Sequence, residues 1–178
     1  MTGTSPSATA TITFHYDSEY RQRVSEKQNP DGWIEVSIAV GETYIWGSSD
    51  GGVTGFACGI VLNLLDSVDA VLSDERYIIE FEFGPSWMVV EPWDDEAVNV
   101  AKSSTLMGAR NPDDRLDIDT SRPVLKEAWI EEVVETARDF HDTVIGMNPN
   151  LRTRDVMEQI REEIARAEEF RSNTDRAS

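Results

Sequence analysis

Cysteine is nearly missing from this chain. Cys58 stands alone, which excludes a disulfide within the chain. It lies in the apolar run F-A-C-G-I-V-L, the setting of a buried, unreactive thiol. Positive charge is also scarce. Three lysines (Lys27, Lys102, Lys126) and thirteen arginines face 34 acidic residues, for a formal net charge of −18 over 178 residues. Nucleic-acid binding needs clustered cations, and the arginines at 152, 154, 161, 166 and 171 are interleaved with acids at helical spacing. Nucleic acid is therefore not an expected partner, and an anionic membrane surface would repel the chain. No run approaches the 18 apolar residues of a membrane-spanning helix. The start, M-T-G-T-S-P-S-A, has neither the basic region nor the apolar core of a secretion signal. The expected location is the cytoplasm.

What is present begins with the acids. A strongly negative chain repels itself in dilute buffer, but in roughly 1 M salt the Debye length falls to about 3 Å and the repulsion is screened. Abundant carboxylates with few lysines resemble the proteins of salt-in halophilic archaea. The alternative is an acidic protein of an ordinary cell that binds a basic partner. Apolar residues make up 39 % of the chain, enough to build a core. No repeat or low-complexity linker divides it, so one domain over 9–170 is expected, with tails 1–8 and 171–178.

Residues 10–16 alternate, with Ile12, Phe14 and Tyr16 on one face, as in a half-buried strand. A polar connection through Asn29-Pro30-Asp31-Gly32 leads to W-I-E-V-S-I-A-V, the clearest strand, and then to Thr43–Trp46. Phe56, Ile60, Leu64, Val68 and Leu72 recur every four residues and predict a helix over 54–72, with Thr54 as N-cap. Strands are expected at 76–83, 86–93 and 97–102, with a turn at Gly84-Pro85. An irregular loop over 103–115 and a short strand near 116–118 follow. Ser121 and Pro123 read as the start of a long helix, and Gly146 as its stop. A last helix spans about 153–170. The expected fold is α+β: a mostly antiparallel sheet of about six strands, one helix after the third strand, and two C-terminal helices packed on one face.

Few motifs carry chemistry. Gly47-Ser48-Ser49-Asp50-Gly51-Gly52-Val53-Thr54 matches the phosphate-binding loop G-x-x-x-x-G-K-[ST], except that Val53 replaces the lysine that contacts phosphate. Asp50 adds a repelling charge. The competing reading is a turn whose glycines permit positive φ and close packing. His15 and His141 show no spacing that makes them converge, and each reads as a surface imidazole. The clusters Asp94-Asp95-Glu96 and Asp113-Asp114-Asp117-Asp119 lack the central glycine and twelfth-position glutamate of a calcium loop. No catalytic, cofactor or metal residue is assigned. A glycosidase-like pair among 34 acids stays open.

Five tryptophans are the other resource. Trp87, Pro92 and Trp93, close to Pro85-Ser86, form the candidate interaction surface. Trp129 and the last helix offer a homodimer contact. The order strand, strand, helix carrying L-N-L-L-D-S-V-D-A-V-L, then F-E-F-G-P-S-W-M-V-V-E-P-W, resembles small α+β proteins of halophilic archaea and toxin-immunity-like proteins over roughly 33–101. The resemblance implies a non-catalytic protein that binds another, so far unknown, protein, in the manner of an inhibitor of a basic toxin. The alternative is a small enzyme or nucleotide- or anion-binding protein using loop 47–55 and nearby carboxylates.

Overall fold

The computed structural model describes residues 4–81 and 86–177. It is α+β with eight strands in two four-stranded antiparallel sheets rather than one sheet of six. The first sheet holds β1 (Ala10–His15), β2 (Trp33–Val40), β3 (Thr43–Trp46) and β4 (Val53–Phe56). The second runs β5 (Tyr77–Glu80), β6 (Trp87–Pro92), β7 (Ala97–Ser103) and β8 (Ser121–Leu125) in chain order. The expected turn at Gly84-Pro85 lies outside the described residues.

Sheet one is built around β2. Its Ile34, Val36, Ile38 and Val40 are all buried, as their period-2 spacing requires. β1 pairs along one side. The other side is shared, with β3 against residues 38–40 and β4 against residues 33–36. The glycine loop 47–52 is therefore an insertion in one interrupted edge, and Thr54 sits in a strand opposite Glu35 instead of capping a helix.

The helix α2 (Ala57–Leu72) starts three residues later than Thr54. Its own N-cap position, Phe56, supplies no side-chain bond. Asp31 does so from the preceding turn, accepting from the Cys58 N–H at 2.9 Å. The Asn29-Pro30-Asp31-Gly32 turn thus also caps a helix 27 residues away. Cys58 is buried, and burial with the nearby Asp31 carboxylate pushes its thiol pKa far up, so it is unreactive.

Two further expectations are corrected, one after β1 and one between β7 and β8. The polar connection after β1 contains α1 (Ser18–Lys27), capped by Asp17, whose side chain accepts from the Tyr20 N–H at 2.7 Å. Only Tyr20 and Val24 anchor it, four residues apart and fully buried. The 103–115 stretch contains a short helix, α3 (Leu106–Arg110), and a 3-10 turn at Pro112–Asp114. Residues 116–118 form a turn, not a strand.

The long helix is α4 (Lys126–Met147), and its expected start is instead β8. Pro123 pairs with Asn99 inside the sheet. Its carbonyl faces away from β7 and accepts from the Ser7 N–H at 2.9 Å, so the missing proline donor falls on the outer edge, where it costs nothing. Gly146 is not the stop either: α4 runs through it and ends at Asn148, which caps the 3-10 segment Pro149–Thr153. The last helix is α5 (Asp155–Ala177).

Helices α2, α4 and α5 pack on one another, and α4 also lies against β1 and β8. Trp129 is fully buried among them and donates from Nε1 to Ser67 Oγ at 3.2 Å. It is a core residue and lends no surface to a dimer. Phe14 meets Phe140 edge-on at 5.6 Å, joining sheet one to α4.

The glycines separate by environment. A Cβ on Gly52 would lie 2.1 Å from the Val36 carbonyl oxygen, whereas one on Gly146 meets nothing within 4 Å. Gly52→Ala is expected to cost about 3 kcal/mol or more. Gly146→Ala should be neutral or stabilise by up to about 1 kcal/mol. Denaturant midpoints of the two variants, measured side by side, check this contrast.

Candidate interaction surface

A buried carboxylate organises one end of sheet two. Glu91, near the end of β6, is 4 % exposed. Arg115 grips it with two bonds, Nη1 to Oε1 at 2.7 Å and Nη2 to Oε2 at 2.9 Å. Arg76 Nε donates to Oε2 at 3.0 Å, and Asn99 Nδ2 on β7 donates to Oε1 at 3.0 Å. Burial alone would raise the Glu91 pKa. The hydrogen bonds from Arg115 and Asn99 and the charges of Arg115 and Arg76 outweigh it and hold the carboxyl below its ordinary range.

The same arginines hold the chain that crosses above. Arg115 Nε donates to the Gly108 carbonyl at 3.1 Å, and Arg76 Nη1 to the Arg110 carbonyl. Segment 103–120 is thus an Ω-loop pinned from below. Its base is closed by the Lys102 N–H on the Thr120 carbonyl (2.8 Å) and by Asp119, which accepts from Ser104 N and Oγ and from Leu116 N. Gly108 fits tightly, since a Cβ there would lie 2.6 Å from Ser103 Oγ.

The loop turns apolar side chains outward. Met107 is 64 % exposed and Ile118 74 %, with Leu106 and Leu116 also exposed. Asp113, Asp114 and Asp117 are exposed beside them. Trp93, two residues beyond Glu91, is 48 % exposed, and Pro92 is exposed as well. Trp87 differs: it is half-buried, packed with Ile78 against Val89, Ala101 and Ala109 under the loop. Of the three candidate residues, Trp93 and Pro92 are exposed and Trp87 packs beneath the loop. The loop's own contribution was missed. An acid inside the strand V-V-E-P was the available signal, because a lone charge in a buried strand demands partners.

The other candidates serve the fold. In the glycine loop, Ser37 Oγ lies 3.0 Å from both the Ser48 and Gly51 carbonyls, and Glu35 accepts from the Gly52 N–H at 3.2 Å. A strand follows the loop, so the strand–loop–helix layout of a phosphate site is absent. His15 Nε2 is 2.7 Å from Ser37 Oγ. The hydroxyl proton points at carbonyls, which only accept, so the imidazole donates and the serine is not activated as a nucleophile. His15 lies on the face of β1 away from α4, and His141, on α4, contacts Asp142. The two do not meet. Among the described residues no group of three or more His, Cys, Asp or Glu side chains is placed to hold a metal ion. Asp114 and Asp119 are committed to loop hydrogen bonds.

No family model, curated protein or solved structure matches the chain.

Removing the Glu91 charge strands two guanidiniums, one of them well buried. Glu91→Gln should cost about 3 kcal/mol and speed hydrogen exchange in 103–120 first. Because the folded carboxyl is the stronger acid, its stabilisation is complete above the free-carboxyl value of 4.5 and is lost as pH falls through the lower folded value. The stability gap between wild type and variant should therefore close on acidification, in a urea-titration series across pH.

Proposed function

We propose that the protein is a non-catalytic interaction module of a salt-rich cytoplasm, immunity-like in that it binds and masks another protein. The observation that supports this reading is the pinned loop. Exposed side chains such as Met107 and Ile118 are costly to leave in water, and a buried ion cluster spends its bonds holding them in one arrangement. Rigid apolar anchors lose little freedom on binding, which favours affinity. The acidic rim at Asp113, Asp114 and Asp117 suits a partner with a cationic border around an apolar centre.

Halophily belongs to the same proposal. With a net charge of −18, the chain should unfold cooperatively as KCl is lowered from above roughly 1 M. Retention of the native circular dichroism spectrum in salt-free buffer would remove this part of the reading.

The interaction itself is tested by affinity capture in molar KCl from the cell that makes the protein, followed by binding measurements with the recovered partner. Met107→Asp together with Ile118→Asp should weaken binding at least tenfold, equivalent to about 1.4 kcal/mol, with the unfolding midpoint unchanged because both residues are exposed. Undiminished binding by that variant would remove the loop from the interface.

A further inference from the structure

Strand β1 is an edge of sheet one, and pairing on one side leaves every second residue's backbone groups pointing outward. The phase is fixed by two bonds. The Ile12 N–H donates to Glu132 Oε1 at 2.6 Å, away from the sheet, and the Gly41 N–H reaches back to the Thr9 carbonyl within it. Ala10, Ile12 and Phe14 therefore present their N–H and C=O groups outward. Among the described residues, Glu132 is the one side chain bonded to them. The β8 edge is managed differently, by Pro123 and by Ser7, which donates to the Pro123 carbonyl and accepts from the Leu125 N–H.

A groove of about 240 Å³ runs beside the open edge, lined by Ile12, Phe14 and Tyr16 on one wall and Glu132, Glu135 and Asp139 on the other. The walls run alongside each other. Ile12 meets Glu132, Phe14 meets Phe140, and Tyr16 lies beside Asp139 and Thr143. From Ile12 to Tyr16 a strand advances about 13 Å, and from Glu132 to Thr143 a helix rises about 16 Å.

The groove lining holds three acids and no cation, and the nearest compensation is Arg21, 5.9 Å from the Tyr16 ring, and Arg138, whose charge interacts with that of Glu135. None of Glu132, Glu135 and Asp139 forms a salt bridge among the described residues. Burial raises the Glu132 pKa, against the opposing bonds from Ile12 and Thr136, and the charges of Glu135 and Asp139 raise it further. A second copy of this chain would bring three more carboxylates against these three. The complementary occupant carries cations.

We propose that the β1 edge and the acidic stripe of α4 accept an extended, arginine-bearing segment of a partner protein as an added strand. The segment's carbonyls take the outward N–H groups, displacing Glu132 from Ile12, and Glu132 then pairs with an arriving guanidinium. The spacing fits. Alternate residues of a strand lie about 6.8 Å apart, and the step from Glu135 to Asp139 rises about 6 Å along the helix. Two arginines at alternate positions face both acids. This inference rests on β1 and α4 alone, and its failure leaves the loop 103–120 reading untouched.

The test titrates isotope-labelled full-length protein, in salt that keeps it folded, with a capped five-residue peptide alternating valine and arginine. Saturable shifts at the Ala10, Ile12 and Phe14 amides, with at least tenfold slower hydrogen exchange at Phe14, are expected. Two peptides N-methylated at alternate amides, one in each phase, discriminate the mode: one phase should lose at least tenfold in affinity and the other little. Glu135→Gln combined with Asp139→Asn should weaken the parent peptide about tenfold. Equal binding of both methylated peptides and the parent overturns the strand addition. So does equal binding of a glutamate-for-arginine peptide, or no saturation up to about 1 mM. Shifts at the same amides that follow protein concentration alone would assign the edge to a second copy and overturn the proposal.

Discussion

The bidentate grip of Arg115 on Glu91 is the contact on which the outer face of sheet two depends. A carboxylate at 4 % exposure would be strongly disfavoured alone. Two guanidiniums and an amide satisfy it, and the same two guanidiniums reach the Gly108 and Arg110 carbonyls above. One charge thereby fixes the β6 end, the start of β5 and both arms of the Ω-loop. Without it, Val89 and Ala101 would lose the cover that Ala109 of α3 provides. Asn99 shows how one-sided the arrangement is: its Nδ2 serves Glu91, and its buried Oδ1 is left with no partner in the described residues.

Cations are too few to be spread evenly, and the chain uses them as ties between elements. Lys126 joins the start of α4 to Asp74 after α2 and to the Asp95 carbonyl in the β6–β7 hairpin. Arg166 on α5 reaches Asp69 on α2, Arg171 reaches Glu131 on α4, and Arg138 on α4 reaches Glu168 on α5. These helix ties are half-exposed, so each is worth little, and less in salt. The helices are held chiefly by the apolar seam around Trp129, Phe140, Met157 and Ile160. Among the described residues, only the Glu91 cluster is deep enough for ionic bonds to decide a local structure.

Strong periodicity was legible. β1, β2, α2, α4 and α5 were visible because each has an apolar stripe of the right period and enough members to stand out. α1 was not, since two apolar residues in ten give no stripe and its cap, Asp17, resembles any other acid in an acid-rich chain. The false helix starts at Thr54 and at Ser121-Pro123 have a common cause. Cap chemistry is a local preference worth about 1 kcal/mol, and sheet pairing with β2 and with β7 outcompeted it. The division into two sheets was hidden because β3 and β4 share β2, a pairing no local pattern encodes. At the candidate surface, Trp93 and Pro92 could be read from the chain. The Glu91–Arg115 contact could not, because its partners are 24 residues apart and arginine within P-D-D-R-L-D looks solvated.

Salt decides which kinds of recognition such a molecule can use. When the Debye length is about 3 Å, charges act only at contact distance, and long-range steering toward a basic partner is lost. Apolar contact and backbone hydrogen bonds do not depend on that range. The pinned loop and the β1 edge each supply one of them: apolar side chains on the loop, and outward N–H and C=O groups along β1. In both places carboxylates stand at the border, close enough to pair with an arriving cation after contact is made. On the proposed halophilic reading, acids screened from one another in brine would serve as short-range selectors, and the work of binding would fall to groups that salt does not weaken.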